Sequence, residues 1–172
     1  ELAPSPETRS LGNAPETAEP GLAVPVLEIP RGFDVHEVAV LSLISRGNTA
    51  VQVARLLGPE FDLGRSDVYE YRDSAMDKLG TKSVAQAVHR AIKRDIVPVE
   101  VQPEETVLAG LRDHDSYTLH QYARGLSNQQ LAHASGQPLG ALEAYHDRLL
   151  YRLGAWSRPH AIRRGHELGI LR

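Results

Sequence analysis

Histidine is the residue type in this chain with the widest chemical scope, because a neutral imidazole binds metal ions and accepts protons near neutral pH. Six of the eight histidines lie in the second half of the sequence, and none has His, Asp or Glu four residues away. Other ligand spacings stay open, but we expect solvent-facing or helix-capping roles and no metal site. The six are His114, His120, His133, His146, His160 and His166.

No other arrangement of residues points to catalysis. No glycine-rich phosphate loop follows a strand, and no Ser/His/Asp set stands out. The chain has no cysteine, which excludes disulfides and thiolate metal sites. No targeting segment and no apolar run of about 18 residues is present. We therefore expect a cytoplasmic protein that is not an enzyme, needs no cofactor and does not enter a membrane.

The elements that must position any functional residue occur twice. RGNTAVQVA at 46–54 and RGLSNQQLA at 124–132 share a helix-ending glycine, a hydroxyl N-cap and apolar positions behind it. Gly47 and Gly125 are 78 residues apart, whereas Gly80 and Gly154 are 74 apart. The sequence thus indicates an internal duplication, with four extra residues between the second and third helices of the first copy.

The sequence pattern of the first copy predicts four helices. Asp34 and Glu37 form a capping-box pattern at its start, and apolar residues follow at helical spacing. Two glycines and a proline in 58–66 predict a turn. Val68, Ala75, Met76 and Leu79 form the buried side of the third helix. We predict helices at about 34–46, 49–57, 66–79 and 83–95.

The second copy repeats this plan after a linker at 98–106. Its first helix is predicted to hold Leu108, Leu111, Leu119 and Tyr122, and its third to bury Leu142, Leu149, Leu150 and Leu153. The other helices are predicted at 127–135, 139–153 and 157–168. Residues 1–30, rich in Pro, Ala and Glu, are predicted to be a disordered acidic tail. We expect an all-α protein of two tandem four-helix domains, 31–97 and 107–172, packed through their fourth helices as an internal pseudo-dimer or homodimer.

The order of elements in both copies resembles the LuxR or GerE type of helix-turn-helix domain. FDVHEVAVLSLISRG at 33–47 is similar to the first helix of the family, GLSNQQLA at 125–132 to its most typical string, and LGAWSRPHA at 153–161 to the start of its fourth helix. The resemblance covers about 135 of the 172 residues. It implies a DNA-binding transcriptional regulator whose third helices enter the major groove and whose fourth helices pair.

The resemblance also implies which residues contact DNA. A helix N-terminus with free backbone N–H groups suits a phosphate, and polar or basic side chains on the third helix suit base edges. The candidates in the first copy are Thr49, Arg65, Ser66, Tyr69, Arg72, Lys78 and Lys82. Those in the second copy are Ser127, Asn128, Gln129, His146, Arg148, Arg152 and Arg158.

A second interpretation follows from the acids on the same faces. The outward sides of the third helices also carry Glu70, Asp73, Asp77, Glu143 and Asp147, which have the wrong sign for phosphate. With a net charge of −3, neither copy is strongly basic. The alternative is a degenerate helix-turn-helix protein that has lost DNA binding and engages a basic surface on a protein partner through these acids.

Overall fold

A computed structural model describes residues 29–172, so most of the predicted tail lies outside the described residues. In this range the chain forms nine α-helices and no strand, which confirms the prediction of an all-helical fold. None of these helices is long and apolar enough to cross a membrane. The helices are α1 (Val35–Ser45), α2 (Ala50–Phe61), α3 (Arg65–Leu79), α4 (Val84–Lys93), α5 (Glu105–Gly110), α6 (Asp113–Ala123), α7 (Asn128–Ser135), α8 (Leu139–Leu153) and α9 (Arg158–Glu167).

The sequence repeat reappears helix by helix. The first unit, α1–α4, matches the second unit, α6–α9, with α1 and α6 both 11 residues long, α3 and α8 both 15, and α4 and α9 both 10. The turn before the second helix needs a left-handed residue in each unit, and Gly47 (φ 91°) and Gly125 (φ 93°) supply it. The two units therefore share backbone geometry as well as sequence pattern.

The four extra residues of the first unit lengthen a helix and not a turn, so the prediction of a turn over 58–66 is wrong at its start. Helix α2 has 12 residues where α7 has 8, and it continues through Pro59 to Phe61. Proline is unfavourable inside a helix, but Phe61 packs into the apolar cluster of α1 and α2 and lies edge-on to His36. Asp62, in the left-handed conformation, then ends the helix.

The predicted first helix of the second unit is also wrong in part, because it is broken into α5 and α6. Leu111 is extended, with φ −87° and ψ 149°, and separates the two pieces. Arg112 then starts α6, and its backbone N–H donates to Asp115 Oδ2 at 2.9 Å. This backbone-to-carboxylate bond fixes the start of α6 close to Asp115. Leu108 still packs against the core of the second unit.

The two units pack together through their fourth helices. Helix α4 lies against α9, α1 also contacts α9, and α6 contacts α4. Val88 of α4 is fully buried in the same apolar cluster as Leu119 and Ile162 of the second unit. The hydrophobic core therefore runs across both units. Because a domain of about 60 residues buries only a limited apolar area by itself, this shared core adds to the stability of each unit.

Two histidines meet in this interface, so the expected solvent-facing or helix-capping role is wrong for His166. His89 Nδ1 of α4 lies 2.9 Å from His166 Nε2 of α9, and the rings stack with centroids 5.0 Å apart. Burial, followed by repulsion from His89 and Lys93, lowers the pKa of His166 to about 4. Burial and the charges of Lys93, His120 and Arg90 also lower the pKa of His89. Both imidazoles are thus favoured in the neutral form.

Replacing Val88 with Asp places a carboxylate in this shared core. We expect Val88→Asp to lower the free energy of unfolding by about 3 kcal/mol or more, because an unpaired buried charge is strongly unfavourable. Val51→Asp is the matched control, since Val51 is 48% exposed on the first turn of α2. Urea unfolding followed by circular dichroism measures both; equal stabilities for the two variants would contradict the buried position of Val88.

Acidification is expected to weaken the fold through His166. Its folded pKa of about 4 lies below the ordinary 6.5, so the unfolded chain binds more protons between these values and stability falls as pH drops through that window. For one such histidine, the free energy of unfolding at pH 5 is lower by about 2 kcal/mol than at neutral pH. Urea unfolding from pH 7 to 5 tests this, and His166→Gln should flatten the dependence. An unchanged slope in the variant would refute the assignment to His166.

Candidate nucleic-acid interface

An ion pair with a buried carboxylate links the third helix to the first in each unit. Lys78 Nζ lies 2.7 Å from Glu37 Oε1, and Arg152 Nη1 lies 2.8 Å from Asp115 Oδ1. These pairs occupy equivalent positions of the repeat, and both carboxylates are buried. Lys78 and Arg152, predicted as DNA contacts, therefore hold the third helices in place instead of presenting free charges.

The carboxylates of these pairs stay ionised because their neighbours outweigh burial. Burial alone raises the pKa of Asp115, but bonds from the Tyr145 hydroxyl and the Arg112 backbone N–H, with the charge of Arg152, bring it below its ordinary 3.8. Burial also raises the pKa of Glu37, and bonds from Lys78, Ser74 and the Asp34 N–H lower it overall. Each unit thus keeps a charged carboxylate in its interior.

The second helices begin in the same way in both units. Thr49 Oγ1 accepts from the Gln52 N–H and Ser127 Oγ from the Gln130 N–H, and each glutamine side chain accepts in return from the N–H of its cap. The turns to the third helices, 62–64 and 136–138, both contain three residues. The starts of the second helices and the lengths of the turns that follow them therefore match in the two units.

Asn128 does not belong to the exposed surface on which the DNA candidates were predicted. Its side chain is buried, and its Oδ1 accepts a hydrogen bond of 2.8 Å from the Tyr122 hydroxyl. Its neighbours Ser127 and Gln129 remain at the surface, half-buried and exposed respectively. Asn128 therefore joins α6 to the start of α7, a contact between side chains that a capping pattern does not reveal.

A first notch of about 690 Å³ opens where the turn before α2 and the face of α3 meet the start of α9. It joins residues of both units. Among residues 29–172, those that line it include no carboxylate. The lining residues are Ile44, Gly47, Asn48, Thr49, Ala50, Gln52, Val68, Tyr69, Arg72, Val84, Trp156, Ser157 and Pro159.

A second notch of about 510 Å³ lies at the corresponding place of the other unit, between the turn before α7 and the start of α4. Lys82 and Arg158 line it, and no carboxylate of residues 29–172 does. Arg158 also lies over the Tyr122 ring, 5.0 Å from its centroid. Its remaining lining residues are Ser83, Val84, Ala85, Gly125, Leu126, Ser127, Gln130 and Pro159.

The outward face of α3 carries a stack of cationic and aromatic side chains. The guanidinium groups of Arg65 and Arg72 lie 5.5 and 4.9 Å from the centroid of the Tyr69 ring, and Arg65 also donates to the Tyr69 hydroxyl. Arg72 is paired with Asp73 at 2.7 Å. Ser66, Glu70, Asp73 and Asp77 are exposed around this stack. Cations and acids thus alternate along α3.

The outward face of α8 is different. Glu143, Asp147, Arg148 and Tyr151 are exposed, as predicted. His146, predicted to face outward, is instead turned toward α6 and lies edge-on to Tyr122 with ring centroids 5.3 Å apart. Burial and the charge of Arg158 lower its pKa. Arg148 is therefore the one predicted contact on α8 that is both exposed and positively charged.

Two contributors to these surfaces were missed in the sequence. Trp156 forms a wall of the first notch although it belongs to the second unit. A Cβ added at Gly47 would lie 2.8 Å from Trp156 Cδ1 and 2.7 Å from His160 Nδ1, so glycine permits this approach. Gln86 takes the place of His160 beside Gly125 and donates to the Arg124 carbonyl at 2.9 Å. The hydropathy pattern of the sequence does not predict that Trp156 and Gln86 contact the turn glycines of the other unit.

The chain matches no protein-family model, and comparisons with curated proteins and with solved structures find no match. Within residues 29–172, no group of three or more His, Asp or Glu side chains could hold a metal ion. The properties of the two notches and of the third-helix faces therefore carry the functional argument.

Replacing Arg152 with Met tests the ion pair of the second unit. We expect Arg152→Met to lower the free energy of unfolding at pH 7 by about 3 kcal/mol, because Asp115 then remains charged and buried without its cation. Arg148→Met on the exposed side of the same helix is the control and should change stability by about 0.5 kcal/mol or less.

Adding Asp115→Asn completes the test. The double variant Asp115→Asn with Arg152→Met should lose less stability than the sum of the two single variants, because the neutral amide no longer needs a cation. Urea unfolding measures the three losses in free energy of unfolding. If the loss in the double variant equals the sum of the two single losses, the side chains are not coupled.

Proposed function

We propose that this chain is a DNA-binding transcriptional regulator of the LuxR-like helix-turn-helix type. In this proposal α1–α4 and α6–α9 are two tandem helix-turn-helix domains that form an internal pseudo-dimer through α4 and α9. The two third helices, α3 and α8, then face one DNA duplex in the cytoplasm, and α3 also lines the first notch.

The observation that carries the proposal is the pair of carboxylate-free notches at equivalent places of the repeat. The protein as a whole has net charge −3, yet each notch is lined by at least one arginine or lysine, and no acid of residues 29–172 lines either. The N-cap residue of a second helix also lines each notch, Thr49 in the first and Ser127 in the second. Such starts favour phosphate groups, so the local electrostatics suit a DNA backbone although the overall charge does not.

Packing of the fourth helices supports the pseudo-dimer. Helix α1 contacts α9 while α6 contacts α4, and Gly47 faces His160 as Gly125 faces Gln86. Each of these contacts has its counterpart under exchange of the two units, as expected for a twofold arrangement. A twofold pair of reading helices is the arrangement with which helix-turn-helix dimers bind two half-sites.

The alternative function is protein binding, and the surface of α8 favours it. There the exposed side chains are Glu143, Asp147 and Tyr151 with the single cation Arg148, while Arg152 is held by Asp115. An acidic and aromatic face of this kind suits a basic protein surface better than phosphate. Under this alternative function, the chain keeps the helix-turn-helix fold but has lost DNA binding.

Fluorescence anisotropy with labelled genomic duplex fragments separates the two functions. DNA binding requires measurable affinity at about 50 mM salt that falls steeply toward about 200 mM, because phosphate contacts release counterions. Arg65→Gln and Arg72→Gln should each weaken binding several-fold. Each should also reduce the slope of the logarithm of affinity against the logarithm of salt concentration by about one, the effect of losing one phosphate contact.

Arg94→Gln is the matched control for these two variants. Arg94 follows α4 at the end opposite the second notch and is exposed, so its loss should leave affinity unchanged apart from a small general charge effect. No binding by the unaltered chain at about 50 mM salt would reject the DNA function and favour protein binding.

A further inference from the structure

The first notch has an aromatic wall that the second notch lacks. Trp156 is 79% exposed, although it stands beside Gly47 and Thr49 of the other unit. Tyr69, stacked between two guanidinium groups, forms another part of the wall. A large indole left in solvent at the rim of a cavity is typical of a binding surface, since tryptophan supplies much apolar area when it is covered.

The positions that correspond to Trp156 and Tyr69 in the repeat differ in chemistry. Lys82 stands at the position of Trp156, and Glu143 at that of Tyr69. The second notch accordingly combines Lys82 with Arg158 and contains no exposed ring. The first notch therefore offers a planar apolar surface next to a cation, whereas the second offers two cations without an aromatic surface.

The occupant of the first notch must match both of these properties. Arg72 provides positive charge. Asn48 and Gln52 also line the notch, with Asn48 Nδ2 donating to the Leu43 carbonyl and Gln52 Oε1 accepting from the Thr49 N–H. Asn48 Oδ1 and Gln52 Nε2 are therefore the groups left to meet a ligand. No carboxylate of residues 29–172 lines the cavity. A segment that is anionic and also presents a flat or apolar part fits, and a nucleotide of the DNA backbone has this combination in its phosphate, deoxyribose and base.

We propose that the first notch binds one strand of duplex DNA, with Trp156 packed against a deoxyribose or base and Arg72 paired with the adjacent phosphate. The proposal rests on the DNA-binding function proposed above and adds a contact that the second unit contributes to the reading surface of the first. DNA binding at this notch thereby depends on the packing between the units.

Arg72 is available for this role although it is paired with Asp73. The side chain of Asp73 is 60% exposed, and ion pairs at such surfaces contribute little free energy. A phosphate, which carries full charge and accepts several hydrogen bonds, can replace the carboxylate. Asp73→Asn is therefore expected to raise affinity for duplex DNA several-fold, because it removes a competitor and a like charge.

Trp156 is the only tryptophan in the chain, so its fluorescence reports on the first notch directly. The experiment titrates the full-length chain with a labelled duplex at about 50 mM salt, and follows indole emission and DNA anisotropy in the same samples. We expect quenching that saturates together with the anisotropy. Trp156→Ala should weaken duplex binding about tenfold, the effect of losing one stacked contact, and Trp156→Phe should retain most of the affinity.

Tyr117→Ala is the matched control, because Tyr117 is an exposed ring on α6 that lines neither notch. It should leave affinity and quenching unchanged. Thermal unfolding of the Trp156 variants checks that they fold, which is expected of a substitution at an exposed side chain.

The possible outcomes separate this proposal from the function on which it rests. Duplex binding by anisotropy, with unchanged indole emission and full affinity in Trp156→Ala, overturns the notch assignment and leaves the DNA function standing. Absence of any duplex binding rejects both. Quenching by single-stranded DNA or by an acidic peptide, without quenching by the duplex, assigns the notch to another ligand and also overturns the proposal.

Discussion

Packing of α4 against α9 is the constraint on which both proposed surfaces depend. Each notch takes one wall from the turn before the second helix of one unit and the other wall from the start of the other unit's fourth helix. Helix α3 adds a further wall to the first notch. Val88 is fully buried in this packing, in an apolar cluster that extends into the second unit. If the units separated, each notch would lose one of its walls. The hydrophobic core thus determines the shape of the charged surface.

Within each unit, the third helix is positioned by electrostatics as well as by apolar packing. A buried carboxylate paired with a cation gains little net stability over an apolar contact, but it requires its partners within hydrogen-bond distance. Glu37 and Asp115 each accept from a cation on the third helix and from a backbone N–H at the start of the first helix. One carboxylate thereby links two helices at a defined point, which fixes the orientation of the outward face.

Local signals in the sequence predicted much of this fold. Cap residues, turn glycines and apolar spacing located α8 at 139–153, and α3 to within one residue of its start. Contacts between distant residues overrode them elsewhere: Phe61 packs beside His36 and extends α2, and His166 meets His89 across the units. The roles of Lys78 and Arg152 were open to prediction, since an acid and a base recur together at matching positions of the repeat.

The two units agree at positions that hold the backbone and differ at positions that face solvent. The capped starts of α2 and α7, the turn glycines and the acid–cation pairs recur, because each satisfies a requirement of the fold. On the third helices, the outward-facing Arg65 and Tyr69 correspond to Leu139 and Glu143, which are exposed. Arg72 corresponds to His146, which is turned toward α6. These side chains differ in charge, size and hydrogen-bonding groups, so they cannot make the same contacts with base edges. Under the proposed function, the two faces therefore require two different half-sites, and a palindromic operator would match only one of them.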